Sequence, residues 1–403
     1  MQTNKESSRS RRSYNISAVA RLALKIIAGC IHYNLCPVGA ALVWIVLKTP
    51  RLPPPPSSGE DFVREGRVVK VANDDEEESG DSGEEKDDDI GVTTFSSNTT
   101  KQKEFRLVLV GDSPVEGIGN NTHHKALSGQ TARAVAKKLA CDGEEYDTVR
   151  YWSYGKSGLT ARGVEKKMLP YLYRVVDDMH CMHNSTNQNI DGHAIHAIIL
   201  LCGVNNVLDP LSTATSFHSE VLSLLNSIRC RPGLENTPLI VLGLPDFSRL
   251  PFLPWPLSFA LGLRARKMQR ELEMAVRVFQ RKEKDQMVDS SNNQCGKTAK
   301  TILVNIPDVQ NVFGTIGYHR YDSSVEKECN ATSTGHNLLK MKLVHPLLKH
   351  LGDIHDQSNL GSLRMEDFLS PDKFHPGKHG TVYIGSLLAE AYYSKFKGGT
   401  PIQ

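Results

Sequence analysis

Residues 105–117 read FRLVLVGDSPVEG: a run of six in which only Arg106 is polar, then a glycine, an aspartate, a serine and a proline. A short, nearly unbroken apolar run bounded by glycine suits a strand covered on both faces of a parallel sheet, where both sides of the pleat meet other side chains. The turn that follows delivers the Ser113 hydroxyl to the carboxyl edge of that strand. Taken alone, Gly-Asp-Ser also reads as an ordinary turn and helix N-cap, with Pro114 suited to the first helical turn.

Working outward, the same kind of run recurs at Thr148–Tyr154, His196–Cys202, Leu239–Leu244 and Ile302–Ile306. Between them lie sequences of helical period near 129–140, 160–178, 212–229 and 260–284. A last helix is expected around 378–395, with Tyr383, Ile384, Leu387, Leu388, Ala391 and Tyr392 on one face. Strands alternating with helices through right-handed crossovers give a three-layer α/β/α sandwich on a five-stranded parallel sheet. In such sheets ligands bind beyond the carboxyl ends of the strands, so each candidate motif is tested by whether it directly follows a strand.

Three motifs meet that test. Ser113 follows the first strand. Tyr154-Gly155-Lys156-Ser157-Gly158 follows the second, and its glycines permit a backbone amide to approach a ligand closely. Gly203-Val204-Asn205-Asn206 follows the third and brings side-chain amides to the same edge, where one can donate to a developing oxyanion. Near the C-terminus, Asp372-Lys373-Phe374-His375 sets a carboxylate three residues before an imidazole, a spacing that lets Asp372 hold His375 in one tautomer.

Taken together, Ser113 in GDSPVEG, Gly158 in YGKSGLT, Asn205 in GVNN, and Asp372 with His375 in DKFHP resemble the motif blocks of the SGNH hydrolases, also called the GDSL esterase/lipase family, over roughly residues 105–395. The resemblance implies a flavodoxin-like sheet and cofactor-free hydrolysis of acyl esters at its edge. It implies Ser113 as nucleophile, His375 as general base, Asp372 as its orienting carboxylate, and an oxyanion hole from the Ser113 and Gly158 amides and the Asn205 side chain. Lipid esters are favoured as substrates over sugar acetates. An acyltransferase or deacetylase on the same fold, or a non-catalytic binding module, are the alternatives. The chain departs from the family pattern at Pro114, where a leucine is usual, at Asn206, where an aspartate is usual, and in a polar insertion at about 308–366.

Between the fourth strand and the next helix, residues 247–263 read FSRLPFLPWPLSFALGL. Phe252, Leu253, Trp255 and Leu257 are candidates for a lip that receives an acyl chain or dips into lipid, with plain packing on the sheet as the rival reading.

The sequence ahead of residue 104 differs in character. Residues 1–49 form a basic targeting segment or membrane anchor: no acidic residue occurs from 7 to 59, and 26–47 is uncharged for long enough to cross a bilayer as a helix. That favours membrane anchoring or the secretory pathway, with a mitochondrial or plastid transit peptide as the alternative. Asn-x-Ser/Thr sequons at Asn15, Asn98, Asn120, Asn184 and Asn330 are compatible with the secretory route. Residues 50–103, with a proline run and a dense acidic stretch, are expected to be a disordered linker, leaving 104–400 as the catalytic domain.

Charge and cysteine usage set the remaining bounds. Eleven carboxylates against Lys86 make residues 74–89 a −10 stretch, which leaves +13 on the rest of a chain whose net charge is +3. The basic residues are dispersed, so nucleic acid is not expected as a partner. Eight cysteines without CxxC spacing, and histidines without metal-ligand spacing, point to no metal and no cofactor.

Overall fold

The computed structural model describes residues 64–69, 103–141, 143, 146–186, 194–250, 253, 257–289, 300–306, 368–372 and 374–397. Residues 1–49, read as a targeting segment or anchor, with their 26–47 run, most of the 50–103 stretch and nearly all of the 308–366 insertion lie outside the described residues. Among those described, no helix is long and apolar enough to cross a membrane.

The sheet has the strands β1 (Arg64–Val69), β2 (Glu104–Gly111), β3 (Thr148–Gly155), β4 (Ala197–Leu201), β5 (Leu239–Leu242) and β6 (Thr301–Val304), in the order β1-β3-β2-β4-β5-β6. The pairings from β3 through β6 are parallel, so the five expected strands form the parallel sheet the sequence implies. Alternate residues feed opposite layers. Val108, Val110, Ile198, Leu200 and Val241 enter one cluster, while Leu107, Leu109, Ile199, Ile240 and Leu242 enter the other.

The first cluster is covered by helices α3 (Ala161–Lys167), α4 (Leu169–Thr186), α6 (Ala214–Arg229) and α7 (Leu257–Asp289), and the second by α2 (Leu127–Cys141) and α8 (Lys378–Tyr392). The single helix expected at 160–178 is broken into α3 and α4 at Met168. Pro170, two residues on, lacks an N–H and clashes with the carbonyl four residues back, so a continuous helix is disfavoured there. The start of α3 is fixed by Thr160, whose side chain accepts from the Gly163 amide, and that of α6 by a capping box between Thr213 and Ser216.

A sixth strand corrects the five-stranded expectation. Residues 64–69 lie inside the stretch read as disordered linker, yet β1 pairs antiparallel with β3 along its full length. Its alternating polar character hid it, since an edge strand with one solvated side needs little apolar area. What holds it is cross-strand matching: Glu65 pairs with Arg150, Arg67 lies 3.5 Å from Glu104, and Gly66 faces Tyr151. A Cβ on Gly66 would come within 2.3 Å of the Tyr151 ring, so the glycine allows the tyrosine to lie flat across the edge strand and be fully buried.

Register places the motif blocks together. Gly111 is opposite both Gly155 and Leu201, so the chain leaves β2, β3 and β4 at one level of the sheet. The connections from β2 and β4 run to opposite sides, which opens a crevice between them.

Gly66→Val should displace the Tyr151 ring and destabilise the fold by about 1–3 kcal/mol, the usual cost of overpacking. Chemical denaturation of the variant beside wild type measures it, and an unchanged midpoint would mean that β1 contributes nothing.

Candidate active site

Ser113 is the first residue of a single helical turn, α1 (Ser113–Glu116), that leaves β2 through Asp112. The turn closes at Gly117, whose positive φ of 85° lets its amide reach back to the Ser113 and Pro114 carbonyls. Ser113 is 3% exposed and lines a cavity of about 130 Å³, which His375 also lines. The sequence-distant serine and histidine are therefore brought to one space.

The His375 loop is held shut by a bridge between Leu369 and Pro376, with the Ser370 amide donating to the His375 carbonyl at 2.8 Å. Asp372 lies inside it. Its Oδ2 is 2.6 Å from His375 Nδ1, and its Oδ1 accepts from the Ser370 hydroxyl and from the amides of Phe374 (2.9 Å) and His375 (3.0 Å). Burial of this side chain, which is 4% exposed, opposes ionisation. The hydrogen bonds from His375, Ser370 and the two amides outweigh it and hold the carboxyl well below the usual carboxylate range. An ionised Asp372 fixes the His375 tautomer with its proton on Nδ1 and leaves Nε2 to accept one.

Asn205 ties the two remaining blocks together. Its Nδ2 donates to Asp112 Oδ2 at 3.2 Å and to the Leu159 carbonyl at 3.0 Å. The amide thus joins the neighbour of Ser113 to the neighbour of Gly158. Gly158 has a φ of 81°, is exposed, and is not part of the cavity wall, and neither is Asn205. The Asn205 loop is entered through Gly203, whose φ of 115° and contact with Phe217 and Leu244 leave no room for a side chain.

The asparagine at 206, where the family pattern has aspartate, is fully used. Its Oδ1 accepts from the Ala161 amide at 2.8 Å, and its Nδ2 donates to Ser212 Oγ and Glu220 Oε2, each at 2.9 Å. An amide can serve a carboxylate neighbour where an aspartate would repel it.

Several contributors were not singled out as site residues from the sequence. Asp112 is 1% exposed, and its burial pushes the carboxyl up to about 7 despite a backbone hydrogen bond and the Asn205 amide, which favour ionisation. Arg264 of α7 donates to the carbonyls of Asn206, Asp209 and Ser212 and so clamps the loop that carries Asn205. The cavity wall is built from Leu242, Leu244, Phe247, Leu250, Phe374 and Tyr383, with Phe247 and Phe374 in ring contact at 6.2 Å. Phe247 opens the aromatic segment singled out from sequence, and Phe374 sits inside DKFHP, so these two had a signal.

Of the expected lip, Phe252 and Trp255 lie outside the described residues, as does the Leu257 side chain. Leu253 is 7% exposed and belongs to the core cluster that also holds Leu261, Ala265 and Met268 of α7. Its amide donates to the Leu250 carbonyl at 3.1 Å. Among the described residues, no group of three or more His, Cys, Asp or Glu is arranged to hold a metal ion.

Residues 107–388 match the family model of the GDSL-like lipase/acylhydrolases. Solved structures similar to this chain include the acetyl xylan esterase AlAXEase, at 11% identity and a TM-score of 0.34 over 71% of this chain and 99% of that one. They also include a GDSL-like lipase from Bacteroides thetaiotaomicron VPI-5482, at 12% identity and a TM-score of 0.29 over 74% and 91%. An acetylxylan esterase from Geobacillus stearothermophilus is similar at 13% identity and a TM-score of 0.31 over 72% and 92%. No curated protein matches the chain.

Asn206→Asp should cost about 1–3 kcal/mol at neutral pH, because it trades a donor for a carboxylate facing Glu220. Thermal melts of variant and wild type should converge as the pH falls and one of the two carboxyls takes up a proton; a pH-independent gap would contradict this. For Asp112 the sign is opposite to that of a salt-bridged carboxylate. Its raised value favours the neutral form in the fold, so its contribution is fully present below the ordinary value of 3.8 and is lost as the pH rises toward about 7. Asp112→Asn should therefore remove a stability loss on the order of 4 kcal/mol or less between those pH values, read as a flatter dependence of unfolding free energy on pH.

Proposed function

We propose that this chain, which belongs to the GDSL-like lipase/acylhydrolase family, hydrolyses carboxylic esters through an acyl-enzyme formed on Ser113. Ester hydrolysis follows from the family; the assignment of roles to residues is our reading. The observation that carries it is that Ser113 and His375 line one cavity, with Asp372 bonded to the imidazole at 2.6 Å.

In this mechanism His375 Nε2 takes the Ser113 hydroxyl proton as Oγ attacks the ester carbonyl, and later gives it to the departing alcohol. Water then attacks the acyl-enzyme by the same route, releasing the acid and restoring Ser113. Asp372 stabilises the imidazolium. The tetrahedral oxyanion is met by the Ser113 and Gly158 amides and by Asn205, whose bond to Asp112 must yield one amide proton to the new charge. The raised value of Asp112 supports that exchange, since a neutral carboxyl competes weakly for a donor.

The cavity supports an apolar acyl group over acetate. Its volume is close to that of an apolar cavity able to hold a benzene-sized ligand, about 150 Å³, so a chain of about half a dozen carbons fits. The basic N-terminal segment with its uncharged 26–47 run supports attachment to a membrane or delivery to a secretory or organellar compartment.

Ser113→Ala should lower turnover by roughly 10³–10⁶, and Asn205→Ala by roughly 10²–10³. Near-normal ester hydrolysis by the purified serine variant would end the mechanism. With p-nitrophenyl esters of graded length, kcat/KM should climb by up to about fourfold per methylene, the worth of burying one CH₂, and level off near hexanoate. A profile that falls from acetate onward would remove the acyl-cavity reading and leave the serine mechanism intact.

A further inference from the structure

Helix α7 has an outer side that none of the other described elements covers. Its inner side packs Leu261, Ala265, Met268, Leu272, Ala275, Val276 and Phe279 into the core. On the outer side the large apolar residues Phe259, Leu263, Met274 and Val278 are exposed, Phe259 by 54% and Leu263 by 49%. Interleaved with them on that side are the exposed cations Arg266, Lys267, Arg270, Arg277, Arg281, Lys282 and Lys284. Among the described residues the acidic groups nearby are few: Asp285 is exposed, Glu273 lies 3.8 Å from Arg277, and Glu271 pairs with His218 of α6 at 3.2 Å.

We infer that this side of α7 is a docking surface for an anionic lipid membrane, on which the helix lies in the plane of the surface. Two features of the stripe fit that partner together. Cations along the rod match the negative headgroups, and the apolar side chains between them can enter the headgroup boundary. The helix is not apolar enough to span, so it adsorbs.

The acidic stretch 74–89 of the same chain is the rival occupant on charge alone. It contains no apolar residue between Asp74 and Asp89 and so offers nothing to cover Phe259, Leu263, Met274 and Val278. Position also favours lipid. The first turns of α7 pack on the 3₁₀ turn Phe247–Arg249, where Gly262 lies against Ser248 so closely that a Cβ would come within 2.5 Å of it. Phe247 of that turn and Leu250 beyond it line the cavity beside Ser113. The exposed Phe259 and Leu263 therefore mark the end of the helix next to the acyl cavity, the end that an ester substrate in a bilayer would approach. The docking surface stands on exposure and charge and does not depend on the serine mechanism.

The test uses the full chain with sonicated vesicles of phosphatidylcholine alone or with about a quarter phosphatidylserine. Because residues 26–47 can contribute binding of their own, the readout is differential. Arg270→Glu/Arg277→Glu/Arg281→Glu should weaken partition to the anionic vesicles by more than about tenfold, and raising salt from about 0.1 M to about 0.5 M should weaken that of wild type. Hydrolysis of soluble p-nitrophenyl butyrate should be unchanged in the triple variant, which shows that it folds. A Phe259→Trp chain should gain a blue-shifted emission component, relative to wild type, with anionic vesicles and none with neutral ones. Equal partition of triple variant and wild type, together with no added blue-shifted emission from the Phe259→Trp chain, would overturn the proposal. A red shift of the Phe259→Trp emission on deletion of residues 74–89, in the absence of vesicles, would show that stretch covering the stripe and would also overturn it.

Discussion

Covering both faces of the sheet is the constraint from which the rest follows. With apolar layers on either side, the backbone edges and the ends of the strands are the places where polar groups can meet water or a ligand. Because β2, β3 and β4 leave the sheet at one level, the loops that begin at Gly111, Gly155 and Leu201 are compelled to share the carboxyl edge. A serine, a glycine and an asparagine that follow apolar runs are thereby neighbours before any of them is assigned chemistry. The histidine arrives from the far end of the chain, carried by a loop that is pinned by its own carboxylate and by the packing of α8 on α2.

Two buried carboxyl groups near the serine show how the same residue type is turned to opposite ends. Asp372 receives four hydrogen bonds and is held ionised. Asp112 has a single side-chain donor, Asn205, and a backbone hydrogen bond, and its burial outweighs both, so its carboxyl is pushed up to about 7. The first arrangement supplies a permanent negative charge to orient an imidazole. The second disfavours a negative charge next to Ser113 compared with an ordinary carboxylate.

Much of this was legible in the sequence, because period and position carried it. The five parallel strands were visible as apolar runs, and the test of following a strand selected Ser113, Gly158 and Asn205. What escaped did so for physical reasons. The strand Arg64–Val69 reads as linker since its stability comes from pairing with an edge and from the Gly66 contact with Tyr151, neither of which has a local signature. The cavity wall draws on elements far apart in sequence, from Asp112 to Ile384. Arg264 was invisible because its partners are backbone carbonyls.

Helix α7 joins these threads. At 33 residues it runs for about 50 Å, and its two sides serve different demands. The inner side is apolar core, joined by Arg264, which grips three carbonyls of the loop behind Asn205, while the outer side carries the cationic and apolar stripe. A loop clamp and a surface face on one rigid rod cannot move independently. Any force that seats the rod on a membrane therefore acts on the same body that clamps the Asn205 loop, and the cavity beside Ser113 keeps a set orientation to that surface without needing a hinge between them.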